Sequence, residues 1–299
     1  MGQNQHQQIN MQQKENMSNE KQWDLIIEPK PKLFQLNLKE VWRYRDLMLL
    51  FVKRDFVAQY KQTILGPLWH IIQPIFTTLV FLLVFGKIAN IPTDGITPIL
   101  FFMSGVTIWT YFSACLTATS TTFIANASIF GKVYFPRLVI PLSTVISNLI
   151  KFGIQLLLLI VAIVWYAIKG EDYYFGWHLL LVPVLVVMMA ILGLGLGIII
   201  SSLTTKYRDF TVLIGFAVQL LMYASPVAYP LSFLHTKSYA KWIAWNPLSP
   251  ILEGFRFALF HKGNFMYHDL IYSGVFIAII MVLGLWMFSK VERTFMDTV

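Results

Sequence analysis

Charge is scarce in this sequence. Only 13% of its 299 residues are Asp, Glu, Lys or Arg, against 57% hydrophobic. A soluble domain is about half apolar and about a quarter charged. The shortfall excludes a soluble globular protein. With a mean hydropathy of +0.62, it points to a chain that crosses a membrane repeatedly. Cysteine is nearly missing too. The single Cys115 excludes an internal disulfide, and its apolar surroundings read as packing. Acidic residues are absent from the cores of the long apolar runs. Ion-coupled carriers place carboxylates there, so coupling to an ion gradient is disfavoured. No G-x-x-x-x-G-K-[ST] occurs, because Gly86-Lys87 and Gly131-Lys132 lack the upstream glycine and the following Ser or Thr. The six histidines (His6, His70, His178, His235, His261, His268) match no metal or nucleophile spacing. A membrane acyltransferase or glycan ligase would need a catalytic constellation, and none is visible.

What is present is long and apolar. Residues 1–36 are Gln-, Asn- and Lys-rich without an apolar signal core, so they read as a disordered tail and a Pro-Lys linker, not a cleaved leader. Residues 37–299 form the membrane domain. Six spans are expected: Trp69–Gly86, one within Gly95–Gly131, Leu138–Ile168, Leu179–Leu203, Phe210–Tyr229 and Leu270–Ser289. Helices are expected because backbone polar groups in lipid must satisfy one another. The fold class is therefore all-α and polytopic. Six spans put both termini on one side. That side carries sixteen of the Lys and Arg residues, the other carries six, and Lys151 lies in a span. The bias places both termini in the cytoplasm. It also accounts for the net charge of +8 without invoking nucleic acid.

Four regions outside or interrupting the spans invite a functional reading. Asn37–Gln62 begins with a capping-box-like Asn37 and Glu40. It places Leu38, Val41, Trp42, Met48, Leu49, Val52 and Phe56 at helical spacings. This is an amphipathic helix lying in the interface, either a passive anchor or a docking surface. Arg54, Asp55 and Lys61 fall off its apolar face and are expected to point to the cytoplasm. Asn126–Arg137 interleaves Phe130, Tyr134 and Phe135 with Lys132 and Arg137, either as a basic loop with interfacial aromatics or as a seat for a partner. Between the last two spans, Asn246-Pro247 and Ser249-Pro250 both read as helix starts. The short apolar run after them suits a re-entrant or interfacial helix, in which Glu253 and Arg256 are placed to pair. Finally, Thr144, Asn148, Lys151 and Gln155 share one helix face. Lys151 is either an intramembrane functional group or a boundary residue that snorkels. Trp69, Phe76, Trp109, Tyr111 and Tyr223 could line a channel alongside Lys151, since flat rings pack on sugars.

Three stretches carry a resemblance. "YKQTILGPLWHIIQP" (Tyr60–Pro74), "FGKVYFPRLVIPLS" (Phe130–Ser143) and "NPLSPILEGFR" (Asn246–Arg256) occur in order with matching span placement. They resemble the permease subunits of ABC-2 type polysaccharide exporters, which serve lipid-linked O-antigen, teichoic acid and capsule. The resemblance runs from Leu36 to the C-terminus, and the Gln-rich tail departs from it. It implies a non-enzymatic channel subunit of the bacterial inner membrane. The subunit would be a homodimer joined to two copies of a separate ATPase that binds ATP and Mg, and it would export a lipid-linked glycan. By the same resemblance, Asn37–Gln62 matches an interface helix and Asn126–Arg137 a coupling segment. ATPase coupling would then fall to Arg54, Asp55, Lys61, Phe130, Lys132, Tyr134, Phe135 and Arg137. The hairpin around Leu231–His261 matches gate helices, with Tyr229, Glu253 and Arg256 at an outer gate. A drug or haem efflux permease is the competing member of the wider family.

Overall fold

A computed structural model describes residues 38–295, except Gln62, Asp172, Tyr174, Phe175, Arg208, residues 235–239 and Asn264. The tail and linker of residues 1–36 and the capping residue Asn37 lie outside the described residues. All regular structure among the described residues is helical.

The expected first helix is two. α1 (Leu38–Arg43) and α2 (Arg45–Tyr60) are separated at Tyr44, whose φ of −90° and ψ of 20° leave the helical region. A 3₁₀ turn at Gly66–Leu68 follows. Gly66 has φ +48°, a left-handed conformation that an L side chain adopts only with strain. Pro67 then supplies a fixed φ at the turn. α3 (Trp69–Phe81) continues into a π-helical segment, Leu82–Ile88. α4 (Pro98–Ser120) starts with proline in its first turn, where the missing N–H costs nothing. Two single-turn helices follow, α5 (Thr122–Ala125) and α6 (Ala127–Phe130). α7 is Val139–Ile168 and α8 is Leu181–Thr204, with a 3₁₀ turn Trp177–Leu180 before it. α9 is Phe210–Tyr223. A 3₁₀ turn Leu231–Leu234 and α10 (Ala240–Ala244) lead to α11 (Leu248–Phe260) and α12 (Tyr267–Phe295).

Five stretches are long and apolar enough to cross a membrane: Gly66–Ile88, Pro98–Ser120, Val139–Ile168, Trp177–Thr204 and Tyr267–Val291. The expected fifth span, Phe210–Tyr229, is a helix of only 14 residues. At 1.5 Å per residue it reaches about 21 Å, short of the ~30 Å hydrocarbon layer. Its chain turns at residues 224–227, where Pro226 has no N–H to continue the ladder.

α4 is the centre of the bundle. It packs on α7 and α8, and α8 packs in turn on α12. Small residues make this possible. A Cβ on Gly193 would lie 2.9 Å from the Cys115 Cβ, and one on Gly197 would lie 2.6 Å from the Thr119 Cβ. On the other side of α8, a Cβ on Gly284 would meet the Gly195 carbonyl at 2.8 Å. Helices that gain little from lipid exclusion associate through such close backbone approach. Buried hydroxyls stitch the same contacts, as where Thr204 Oγ1 donates to the Ser120 carbonyl at 3.0 Å. α3 and α12 keep most of their apolar surface on the outside of this single chain.

Candidate functional site

The segment between α4 and α7 is held from within by aromatic rings. Phe123 stacks on Phe288 of α12, with centroids 4.7 Å apart. Phe123 meets Phe130 at 6.0 Å, and Phe130 meets Phe135 at 5.8 Å. Phe135 then meets Phe51 of α2 at 5.8 Å. The Arg137 guanidinium lies over the Phe130 ring at 5.5 Å, and the Arg54 guanidinium over Phe51 at 4.7 Å. One ladder of rings therefore runs from the end of α12, through the α5–α6 segment, to α2. Phe130, Phe135 and Arg137 are buried in it, whereas Lys132, Val133 and Tyr134 are exposed. Three of the five sequence-predicted residues here are thus turned inward. The exposed tip of the segment is Lys132–Val133–Tyr134. Phe51, Phe123 and Phe288 did not stand out in the sequence, because their partners are distant along the chain.

α2 also differs from its sequence reading. Val41 of α1 and Met48, Phe51 and Val52 of α2 are buried, with α2 packed on α7, while Trp42 and Leu49 are exposed. The break at Tyr44 rotates the two pieces relative to one continuous helical stripe. Arg54 donates to Asp55 Oδ1 from Nε at 2.9 Å and from Nη2 at 2.7 Å. Asp55 is partly buried and within electrostatic reach of Lys151 on α7. Lys61 is exposed just beyond the helix.

The α7 stripe comes together around Lys151. Its Nζ donates to Asn148 Oδ1 at 3.0 Å, and Gln155 Oε1 accepts from Thr110 of α4 at 3.0 Å. Tyr111 and Cys115 of α4 lie beside Asn148 and Lys151. His70, in the first turn of α3, feels the Lys151 charge and holds its ring 5.6 Å from the Tyr60 ring. Of the proposed channel residues, Trp69, Phe76 and Tyr223 are exposed on the surface of this chain, while Trp109 and Tyr111 are packed inside α4's contacts. Trp109 meets Phe112 at 5.4 Å, and Tyr111 meets Phe152 at 5.1 Å.

At the other end of α4, residues 224–234 and 240–263 fold onto the bundle. Asn246 starts α11, its Oδ1 accepting from the Leu248 N–H at 3.1 Å. Pro247, read as a first-turn proline after a capping Asn246, stands at the cap itself, and Pro250 falls within the first turn. α11 is almost entirely buried. It therefore packs within protein. Glu253 and Arg256 do pair, with Arg256 Nη1 3.2 Å from Glu253 Oε1. Arg256 Nη2 donates to the Val227 carbonyl at 2.6 Å, and its guanidinium lies 3.8 Å from the Phe101 ring centroid. Glu253 Oε1 also accepts the Leu231 N–H at 3.3 Å. Gly105 leaves room for the Val227 carbonyl and Arg256 Nη2, both of which a Cβ there would strike. Tyr229 donates to the Tyr223 carbonyl at 2.8 Å. Ser232 to Asp94 at 2.6 Å and Lys262 to the Gly95 carbonyl at 2.9 Å tie the hairpin to the loop before α4.

These two ends and the glycine-packed helices between them bring the comparisons with known proteins into focus. A family model described as ABC-2 type transporter matches residues 46–260, from α2 to the end of α11. An O-antigen export system permease protein RfbA of Klebsiella pneumoniae is 28% identical over 255 residues, which cover 84% of this chain and 94% of the relative. An RfbA of Myxococcus xanthus is 29% identical, covering 75% of this chain and 84% of the relative. The polysialic acid transport protein KpsM of Escherichia coli is 25% identical, covering 82% and 93%. The chain belongs to the ABC-2 type transporter family, as a membrane permease subunit without a catalytic domain.

Proposed function

We propose that this chain is the permease of an ATP-driven exporter that moves a lipid-linked polysaccharide of the O-antigen type outward across the bacterial inner membrane. It would act as a homodimer with two copies of a cytoplasmic ATPase that binds ATP and Mg. In this reading α9 and the turn after it form the sixth crossing, and both termini are cytoplasmic. α2 and the exposed tip Lys132–Val133–Tyr134 meet the ATPase. Trp69, Phe76 and Tyr223 face the path between protomers, and the α11 hairpin closes its outer end. The observation that carries the reading is the near full-length match to O-antigen export permeases, together with the absence of a phosphate-binding loop in the sequence. Capsule export is the second reading, favoured by the likeness to KpsM.

A deletion strain tests this directly. The polysaccharide should disappear from the surface and accumulate inside on its lipid carrier, and the wild-type chain with its ATPase should restore it. Loss of a capsular polymer instead would select the second reading. Unchanged surface polymers would defeat both. Cysteines at Ser128 and Lys241, on a Cys115→Ala background, should label from opposite faces of the membrane. Labelling from one face would remove the sixth crossing.

A further inference from the structure

Where α11 ends, two histidines sit face to face. His178 lies in the 3₁₀ turn before α8, and His261 is the C-terminal cap of α11. Their ring centroids are 4.5 Å apart, and the rings are 25° from parallel. The stack continues on both sides. The ring of Trp177 is 4.2 Å from that of His178, and the ring of Phe257 is 5.1 Å from each imidazole. Phe257 meets Phe265 at 5.3 Å, and Phe265 meets Tyr267 of α12 at 5.0 Å. One run of rings therefore fastens the end of α11 to the starts of α8 and α12. Purely apolar rings would do so at any pH. Two members of this run can become cations, and histidine is the side chain that ordinarily changes charge between pH 5 and 8.

Neutral imidazoles stack as other flat rings do, but two imidazolium ions at this separation repel. His178 carries a further constraint. Its Nδ1 is buried and has no hydrogen-bond partner. Protonation makes both ring nitrogens donors, so a charged His178 in this place holds a buried N–H without an acceptor. His261 differs, because it is exposed and follows the last turn of α11, where the helix dipole favours a cation. Its N–H closes the helix on the Phe257 carbonyl at 2.8 Å, so its ring is tied to the end of α11. No opposite charge relieves the pair. Glu253 and Arg256 of α11 are engaged with each other. Lys262 donates to the Gly95 carbonyl and lies over the Tyr173 ring. His268 and Asp269 of α12 face each other at 4.0 Å. Before α8, Lys169 lies over Trp165 and Glu171 is exposed, and α8 itself carries no charge. Among the described residues, none of these groups makes an ion pair or hydrogen bond to either imidazole.

We infer that the His178–His261 stack is an acid-sensitive fastening, which holds the end of α11 on the bundle while at most one imidazole is charged and parts when both are. The sign follows from the charges. The contribution of the stack is present in neutral solution and is lost as the pH falls. The inference rests on the exporter reading only for the side of the membrane. That reading puts the α11 hairpin outside, where the acidity of the surroundings reaches the exposed His261 directly.

The test uses the permease co-purified with its ATPase in phosphatidylcholine nanodiscs. A Cys115→Ala background carries Ala258→Cys on α11 as the reporter. Ala258 is 5% exposed, so a thiol there reacts with a maleimide when the end of α11 lifts. Labelling rates are compared with and without His178→Phe at the same pH, which cancels the pH dependence of the thiol itself. His178→Phe keeps a ring in the stack and removes one charge. Carboxylates, Glu253 included, titrate in both backgrounds, so the difference isolates the imidazoles. At pH 8 the two should label at equal rates. At pH 5 the chain with His178 should label at least about fourfold faster, the factor that two unit charges at this separation give even in bulk water. His261→Asn keeps a side chain that accepts the left-handed cap and cannot be charged. It should match His178→Phe, and it keeps the test sound if the phenylalanine variant misfolds. Equal labelling of the parent and both variants at pH 5 would overturn the inference. So would EDTA that raises labelling of the parent at pH 8 to its acid rate, because a bound metal would then be holding the rings. These outcomes do not depend on export. A deletion strain with unchanged surface polymers removes the exporter reading alone, and pH-independent labelling removes the fastening alone.

Discussion

The α11 hairpin and the α2–α3–α7 junction bury charge toward opposite ends of α4, and they treat it oppositely. In the hairpin, Arg256 is 1% exposed and Glu253 is 5% exposed. The pair is closed by a carbonyl, a backbone N–H and a ring face, and only Arg256 Nε lacks a partner. At the junction the Lys151 ammonium has a neutral partner, the Asn148 amide oxygen, and among the described residues no carboxylate in ion-pair contact. A buried pair that is satisfied internally maintains a shape. A buried cation left unsatisfied lowers stability unless something else completes it. The difference teaches that hydrogen-bond partners separate these two charged sites better than burial does.

The strongest way to break the comparison is to remove half of the hairpin pair. Glu253→Ala leaves Arg256 buried and uncompensated. It is expected to cost about 3–5 kcal/mol, read as a lowered unfolding midpoint of the detergent-solubilised protein. Replacing both residues together, Glu253→Leu with Arg256→Met, should recover much of that loss. If Glu253→Ala unfolds like the parent, the pair is not a structural lock. A smaller effect sharpens the other side. Lys151→Met removes an ammonium that nothing in the chain fully compensates, so its stability should change by less than about 1 kcal/mol, or rise. A loss as large as that of Glu253→Ala would make the junction a second lock. The smallest effect on folding is expected at the tip of the α5–α6 segment. Tyr134→Ala, at a site 74% exposed, should leave the unfolding midpoint within about 0.5 kcal/mol of the parent while reducing recovery of the co-expressed ATPase. Phe135→Ala, one residue on but buried in the ring ladder, should cost about 3 kcal/mol or more. Equal behaviour of the two would show that the ladder does not distinguish a docking tip from a packed core.

Much of this architecture is legible in the residues. Long apolar runs mark five of the helices, four to within a few residues and the second only as part of Gly95–Gly131, because a run of that length and composition has no other stable form in lipid. The i, i+3 spacing of Glu253 and Arg256 brings them together on one helix, and they pair. The Thr144–Asn148–Lys151–Gln155 stripe is likewise local, and its Asn148–Lys151 contact forms. Legibility fails where an apolar run has more than one way to end. Phe210–Tyr229 read as a single span, yet the helix stops at Tyr223. Asn246, more than twenty residues later, then bonds the Ala224 carbonyl at 3.1 Å and the Ser225 hydroxyl at 2.9 Å. Legibility also fails at α2, where periodicity assumed one helix through Tyr44 and therefore counted Trp42 and Leu49 on the covered face, although both are exposed.

The sequence by itself determined that this is an all-helical, many-crossing chain of the ABC-2 type with its polar chemistry gathered at a few interruptions. Composition and local spacing suffice for that, since each helix in lipid must close its own hydrogen bonds. Only the tertiary structure decided which side of each helix is covered. Apolar residues surround most of these helices, so no stripe singles out a buried face. The choice falls instead to contacts between distant residues: Gly193 and Gly197 against Cys115 and Thr119, Phe51 against Phe135, and Arg256 against Phe101. Likewise the ring of Tyr60 meets that of His70 on the next helix, a contact that spacing along one helix does not announce.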